Sequence, residues 1–120
     1  MSFWYLASPY SKYPGGHNAA FEEISRNAGL LLSNGVHVYC PIAHSHPISL
    51  YGEVPLDSYD IWLPADRAIF QFAEGMIVCM MDTWQTSHGV NWEIKEFTEA
   101  GKPIVYMVPG VLPDIFKKAA

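Results

Sequence analysis

Four short apolar runs, rich in β-branched and aromatic residues and broken by turn residues, constrain this chain more than any other feature. They are residues 3–7, ended by Ser8-Pro9; 36–40, ended by Pro41; 76–81, preceded by Gly75; and 103–108. Runs of this length flanked by Gly and Pro read as buried strands. Helical periodicity separates them. A first helix, capped by Asn18 and running to about Ser33, places Phe21, Ile24, Ala28, Leu31 and Leu32 three or four apart, and Asn34-Gly35 closes it. A second helix is expected over 59–73, with Pro64 at a kink or a fresh first turn because it donates no backbone hydrogen bond. A third begins near Ser87 to Gly89 and runs to Ala100, with Val90, Ile94 and Phe97 on one face and Gly101 as its C-cap. Residues 43–55, rich in His and Pro, read as a loop, and 113–118 as a short terminal helix.

Strands alternating with helices imply right-handed crossovers and a parallel sheet covered on both faces. The expected fold is therefore α/β: a flavodoxin-like or Rossmann-like three-layer sandwich with a four- or five-stranded parallel sheet. At 120 residues, without an internal repeat or linker, the chain reads as a single domain, 1–120. Half of it is hydrophobic and 16% charged, which excludes a disordered chain. Twelve acids against seven bases, a net charge of −5, leave no basic face for nucleic acid. The longest apolar run is far short of the ~20 residues that span a bilayer. Residues 1–6 lack the basic and apolar regions of an export signal. Cys40 and Cys79 lie in apolar runs without CxxC spacing and read as small buried hydrophobes. These readings together give the expectation of a soluble cytoplasmic protein.

In a sheet of this kind, ligands bind beyond the carboxyl ends of the strands, where strand order reverses. Residues 7–11, 42–47 and 82–93 reach that edge, and all three are polar. Glu93 falls in the first or second turn of a helix, where the positive end of the helix favours a carboxylate and would keep it ionised as nucleophile or base. The alternative is a glutamate that merely offsets the helix dipole. Ser87 and Gly89 can present a hydroxyl and bare backbone N–H groups to a phosphate, or Ser87 can simply cap the helix. Asp66, near Trp62, is a proton donor if its pKa is raised, or a solvated partner of Arg67. His44 and His46, with His37, lack the further ligands and second shell of a metal site, so no metal is expected; they read, like His88, as hydrogen-bonded to backbone or facing substrate. Trp4, Tyr5, Tyr10 and Tyr13 cluster near the first strand's end, where a ring at the rim suits stacking on a base or sugar.

Three of these segments resemble one pattern. Residues 4–11, Trp-Tyr-Leu-Ala-Ser-Pro-Tyr-Ser, look like the opening strand and loop of the nucleoside 2-deoxyribosyltransferase-like superfamily. Asp66, followed 27 positions later by Glu93, looks like its pair of acid and nucleophile. Residues 87–93 and 100–104 are similar to its S-x-G-x-x-x-E and A-x-G-K-P-I segments. Trp62, Pro64, Trp84 and His46-Pro47 add resemblance to a small branch near the 2′-deoxynucleoside 5′-monophosphate N-glycosidases.

The resemblance implies cleavage or transfer of an N-glycosidic bond of a deoxynucleoside or its 5′-monophosphate, without metal or organic cofactor. It implies that Glu93 attacks the anomeric carbon to form a covalent deoxyribosyl intermediate. Asp66 assists departure of the base and then activates the acceptor, water or another base, and Tyr5 positions Glu93. Ser8, Pro9, Tyr10, Ser11, His46, Asp82, Trp84, Ser87 and Gly89 are the implied substrate contacts. The transferases carry an aspartate six positions before the nucleophile, where a 5′-hydroxyl binds. The glycosidases have a serine there, as this chain has Ser87, which leans towards a 5′-phosphate. Pro9 stands where the glycosidases have a further serine. A homodimer or larger homo-oligomer is implied as well. The rival expectations are a nucleotide-binding module without turnover and a glycohydrolase acting on NAD.

Overall fold

The computed structural model describes residues 2–118; Met1, Ala119 and Ala120, the ends of the expected domain, lie outside them. Four strands, β1 (Trp4–Ala7), β2 (Val38–Tyr39), β3 (Gly75–Cys79) and β4 (Ile104–Met107), form one sheet in the order β2-β1-β3-β4. Every pairing is parallel; Trp4 lies opposite both Val38 and Gly75, and Met76 opposite Ile104. The helices are α1 (His17–Ser33), α2 (Pro41–Gly52), α3 (Tyr59–Phe70) and α4 (His88–Glu99), with a single 3₁₀ turn at Asp114–Phe116. This is the expected α/β sandwich, with four strands.

Side chains alternate across the sheet, as the two-residue period requires. Leu6, Ile77, Cys79 and Met107 join Ile24, Ala28 and Leu31 of α1 in one core. Tyr5, Ala7, Met76 and Val78 point the other way, to Phe70 of α3 and to Val90 and Phe97 of α4. Both faces are covered, hence the uninterrupted apolar composition of β3, buried at all five positions. The Trp4 side chain packs tightly over the start of β3. Gly75 begins β3, where a Cβ would lie 2.5 Å from the Trp4 ring and 2.7 Å from the Pro103 carbonyl oxygen.

Several boundaries depart from expectation. The largest departure is α2, which occupies most of the stretch read as a loop. Pro41 sits in its first turn, where a missing N–H costs nothing, and Pro47 is tolerated inside it. The helix packs on α1 and β1, and Ile42 and His46 are buried. Gly16, not Asn18, is the N-cap of α1; the Asn18 amide donates to Glu22 instead. Pro64 lies within a continuous α3, which ends at Phe70 rather than Ala73. The second strand shrinks to two residues, and the terminal helix to one 3₁₀ turn. Ala100 is the C-cap of α4, with Gly101 following at φ +70. Among the described residues, no helix is long and apolar enough to cross a membrane.

Candidate functional site

Strand order reverses between β1 and β3, because the chain leaves β1 for β2 on one side and returns to β3 on the other. Beyond the carboxyl ends of these two strands lies a cavity of about 190 Å³. The loop after β1 lines it with Ser8, Pro9, Tyr10, Ser11 and Lys12, and the loop after β3 with Thr83, Thr86 and Ser87. α4 adds His88, Gly89, Trp92 and Glu93. The far wall is mostly apolar: Pro41 and Ile42 of α2, Leu56 before α3, and Tyr59, Trp62 and Leu63 of α3, with Asp66 among them. Hydroxyl groups therefore face aromatic and aliphatic ones across the cavity, and the two carboxylates belong to different helices.

Glu93 is the sixth residue of α4, counted from His88. That is beyond the first turn, to which the helix dipole's influence is confined. The expectation that the dipole keeps this carboxylate ionised is therefore corrected. Burial dominates and pushes its pKa up to about 8; a hydrogen bond donated by the Tyr5 hydroxyl to Oε2 opposes the rise, and the nearby Asp66 adds to it. Tyr5 itself is fully buried beneath the cavity between the Tyr39, Phe70 and Phe97 rings. Its own pKa is driven well above the usual value, first by burial and then by Glu93 and Asp66, so it stays a donor.

Asp66 is not the solvated partner of Arg67. Arg67 pairs with Glu96 of α4 and lies 5.3 Å over the Trp92 ring, leaving Asp66 on the cavity wall. Burial raises Asp66 to about 6. At neutral pH the pair holds roughly one proton, and the deeper burial of Glu93 leaves it there rather than on Asp66, so attack by Glu93 requires that proton to pass to Asp66 first.

Ser87 both caps and lines. Its Oγ accepts from the Val90 N–H at 3.3 Å, leaving its own O–H on the cavity wall. Tyr10 lines the cavity, and its hydroxyl is hydrogen-bonded to His46 Nδ1 at 2.5 Å. His46 is not a cavity residue, contrary to expectation. It is buried against the Phe21 ring, with centroids 4.4 Å apart, because α2 turns it towards α1. Asp82 and Trp84 are also absent from the wall. The turn after β3, closed by Trp84 N–H donating to the Met81 carbonyl, brings Trp84 to the Tyr106 ring and leaves Asp82 exposed.

Thr83, Thr86, Lys12, Ser45, Ile42, Tyr59 and Trp92 line the cavity without having been foreseen as contacts. For Ile42 and Ser45 the available signal was Pro41 directly after a strand, a helix-starting position. Cys40 and Cys79 are free and buried, and burial pushes their thiols up to about 11 and about 12, so neither is a thiolate nucleophile. Among the described residues, no three His, Cys, Asp or Glu side chains gather as a metal site.

No curated protein matches the chain. Residues 2–108 match the model of a family described as a domain of unknown function, DUF1937, and the chain belongs to that family.

Proposed function

We propose that this DUF1937 family member cleaves or transfers the N-glycosidic bond of a deoxynucleoside or deoxynucleoside 5′-monophosphate. The observation that carries this reading is that Asp66 and Glu93, from two different helices, line one cavity, with the Tyr5 hydroxyl donating to Glu93. The apolar wall of Tyr59, Trp62 and Leu63 suits a base, and the hydroxyl wall suits a sugar.

In the first step a Glu93 carboxylate oxygen attacks the anomeric carbon while the bond to the base nitrogen breaks. The departing base takes a proton from Asp66, and a deoxyribosyl ester of Glu93 remains. In the second step water, or a second base, attacks the same carbon and gives its proton to Asp66, and the ester bond breaks to restore Glu93. Tyr5, by donating to Glu93 Oε2, orients the attacking carboxylate and lowers the cost of ionising it in a buried site. The chemistry follows that of retaining glycosidases, in which two carboxylates flank the scissile bond. The reading places the protein in the cytoplasm, with a second copy of the chain as partner.

Incubating the protein with a panel of deoxynucleosides and their 5′-monophosphates, and separating the products by chromatography, is the direct test. Free base is expected from at least one of them and none from Glu93→Gln. One observation favours the rival reading of a binding module: burial keeps Glu93 mostly protonated at pH 7. If ligands bind the wild type and no base appears anywhere between pH 5 and 9, that rival stands.

A further inference from the structure

α2 buries Pro41, Ile42 and His46, and His46 is the one polar residue of the three. It lies four positions after Ile42, so both occupy one face of the helix. An imidazole in such a place is costly unless a partner meets its polar atoms, and a leucine would fill the space without that cost. The partner of Nδ1 is the hydroxyl of Tyr10, a residue of the cavity wall. The direction of the bond follows from the acidity of the two groups. Burial pushes the Tyr10 phenol up to about 12, so it keeps its proton. Burial, with His17 adding to it, lowers the pKa of His46, so the ring is neutral. A phenol is a stronger acid than a neutral imidazole N–H. Tyr10 therefore donates, Nδ1 accepts, and the ring proton sits on Nε2.

Little else holds the loop that carries Tyr10. Its first five residues, Ser8 to Lys12, all line the cavity. Beyond Tyr10 its backbone bonds stay inside it: the Tyr13 N–H donates to the Tyr10 carbonyl, and the Gly16 N–H to the Tyr13 carbonyl. From Ser11 to Gly16 every residue but Tyr13 is exposed. Among the described residues, Tyr10 to His46 is the one side-chain hydrogen bond tying residues 8–16 to another element. His17 supports it from α1, packing its ring on that of Tyr10 with centroids 4.6 Å apart. Tyr10 is thus fixed by packing from α1 and by a hydrogen bond from α2.

We infer that His46 is a positioning residue: through the Tyr10 hydroxyl it fixes the loop after β1, and with it the Ser8–Lys12 wall of the cavity, without meeting the ligand. That this wall serves a deoxynucleoside or its 5′-monophosphate rests on the function proposed above; the bond and its hold on the loop do not.

The bond itself is tested by nitrogen NMR of the full chain. The His46 ring should be the Nε2–H tautomer, and its Nδ1 resonance should move in Tyr10→Phe. The hold on the loop is read by hydrogen exchange. The Tyr13 and Gly16 amides should exchange about 10-fold faster in Tyr10→Phe and in His46→Leu, as expected for one lost hydrogen bond, while β3 keeps its protection. The effect on the cavity is read by KM for each deoxynucleoside or monophosphate that the wild type cleaves. KM should rise about 10-fold in either variant with kcat nearly unchanged, and no further in the double variant, because His46 acts through Tyr10. His46→Asn, which can keep an acceptor near the Nδ1 position, should recover most of both losses. If His46→Leu does not fold, Tyr10→Phe removes the same bond with the imidazole in place. Loop exchange that neither variant alters, or losses that multiply in the double variant, overturn the inference. Normal KM and base release without the bond would also overturn it and leave the glycosidic chemistry standing. Faster loop exchange in both variants of a protein that releases no base would do the reverse.

Discussion

α4 and α3 each bring one carboxylate to the cavity, and they are seated differently. α4 buries Val90, Glu93 and Phe97 and packs on both β3 and β4. α3 buries only Phe70, and holds to α4 through Arg67, which reaches Glu96 and Trp92. Its Tyr59, Ile61 and Ile69 remain exposed. The carboxylate on the deep helix is clamped by Tyr5 and pushed to about 8; the one on the shallow helix is pushed only to about 6. On the function proposed above, the difference separates two tasks. The attacking group needs one fixed position, and a firmly packed helix supplies it. The acid and the aromatic wall must admit and release a ligand, and elements with few buried contacts belong to the readily opened part of a fold.

If that division holds, exchanging the acids for amides has the largest and most unequal effects. Glu93→Gln is expected to lower base release on the order of 10⁴-fold or more. Asp66→Asn should lower it by about 10²–10³-fold, and less for bases that leave without protonation. Rates under single-turnover conditions measure both. Glu93→Gln should also be more stable than the wild type above pH 5. Between its ordinary 4.5 and about 8, Glu93 keeps its proton in the folded chain and loses it in the unfolded one. Wild-type stability therefore falls by about 1.4 kcal/mol per pH unit across that window. The gap between the two melting temperatures should widen up to pH 8 and close near pH 4.

A smaller effect sharpens the same contrast. kcat/KM should be bell-shaped, with apparent limbs near 6 and near 8 that belong to the pair of acids. Below the first limb both acids are protonated and none attacks; above the second both are ionised and none donates. Tyr5→Phe removes the bond that favours ionised Glu93. Activity at pH 7 should drop about 10-fold, and the alkaline limb should move to higher pH, a shift that simple loss of packing would not produce. The smallest effect is expected from Arg67→Ala. Its ion pair is exposed, so stability should change by no more than about 1 kcal/mol, yet KM should rise as the α3 wall loosens.

Much of this arrangement was legible in the sequence because it depends on periodicity and on the order of elements. β1, β3, α1 and α4 announce themselves by apolar spacing, and the reversal of strand order then points to the loops carrying Ser8 and Ser87. Proline in α2 and the brevity of β2 hid the rest: a helix that packs on α1 through Ile42 and His46 is settled by tertiary contact rather than by local preference. His46 was misplaced for that reason. Trp84 and Asp82 were misplaced because one turn residue, Thr83 at φ +74, decides which neighbours face the cavity, and a threonine gives no local hint of that conformation. The charge state of Glu93 was misjudged because helix position is visible along a chain and depth of burial is not.

Gly75 extends this dependence to the opposite end of the sheet. With the Trp4 ring and the Pro103 carbonyl already filling the space where a methyl would sit, an alanine there has to push that ring or that carbonyl aside. Trp4–Gly75 opens the paired stretch that ends at Ala7–Val78, whose far end holds the two hydroxyl-bearing loops. A missing carbon at one end of the central strand pair thus lets the tryptophan seat against the sheet whose other end carries the cavity.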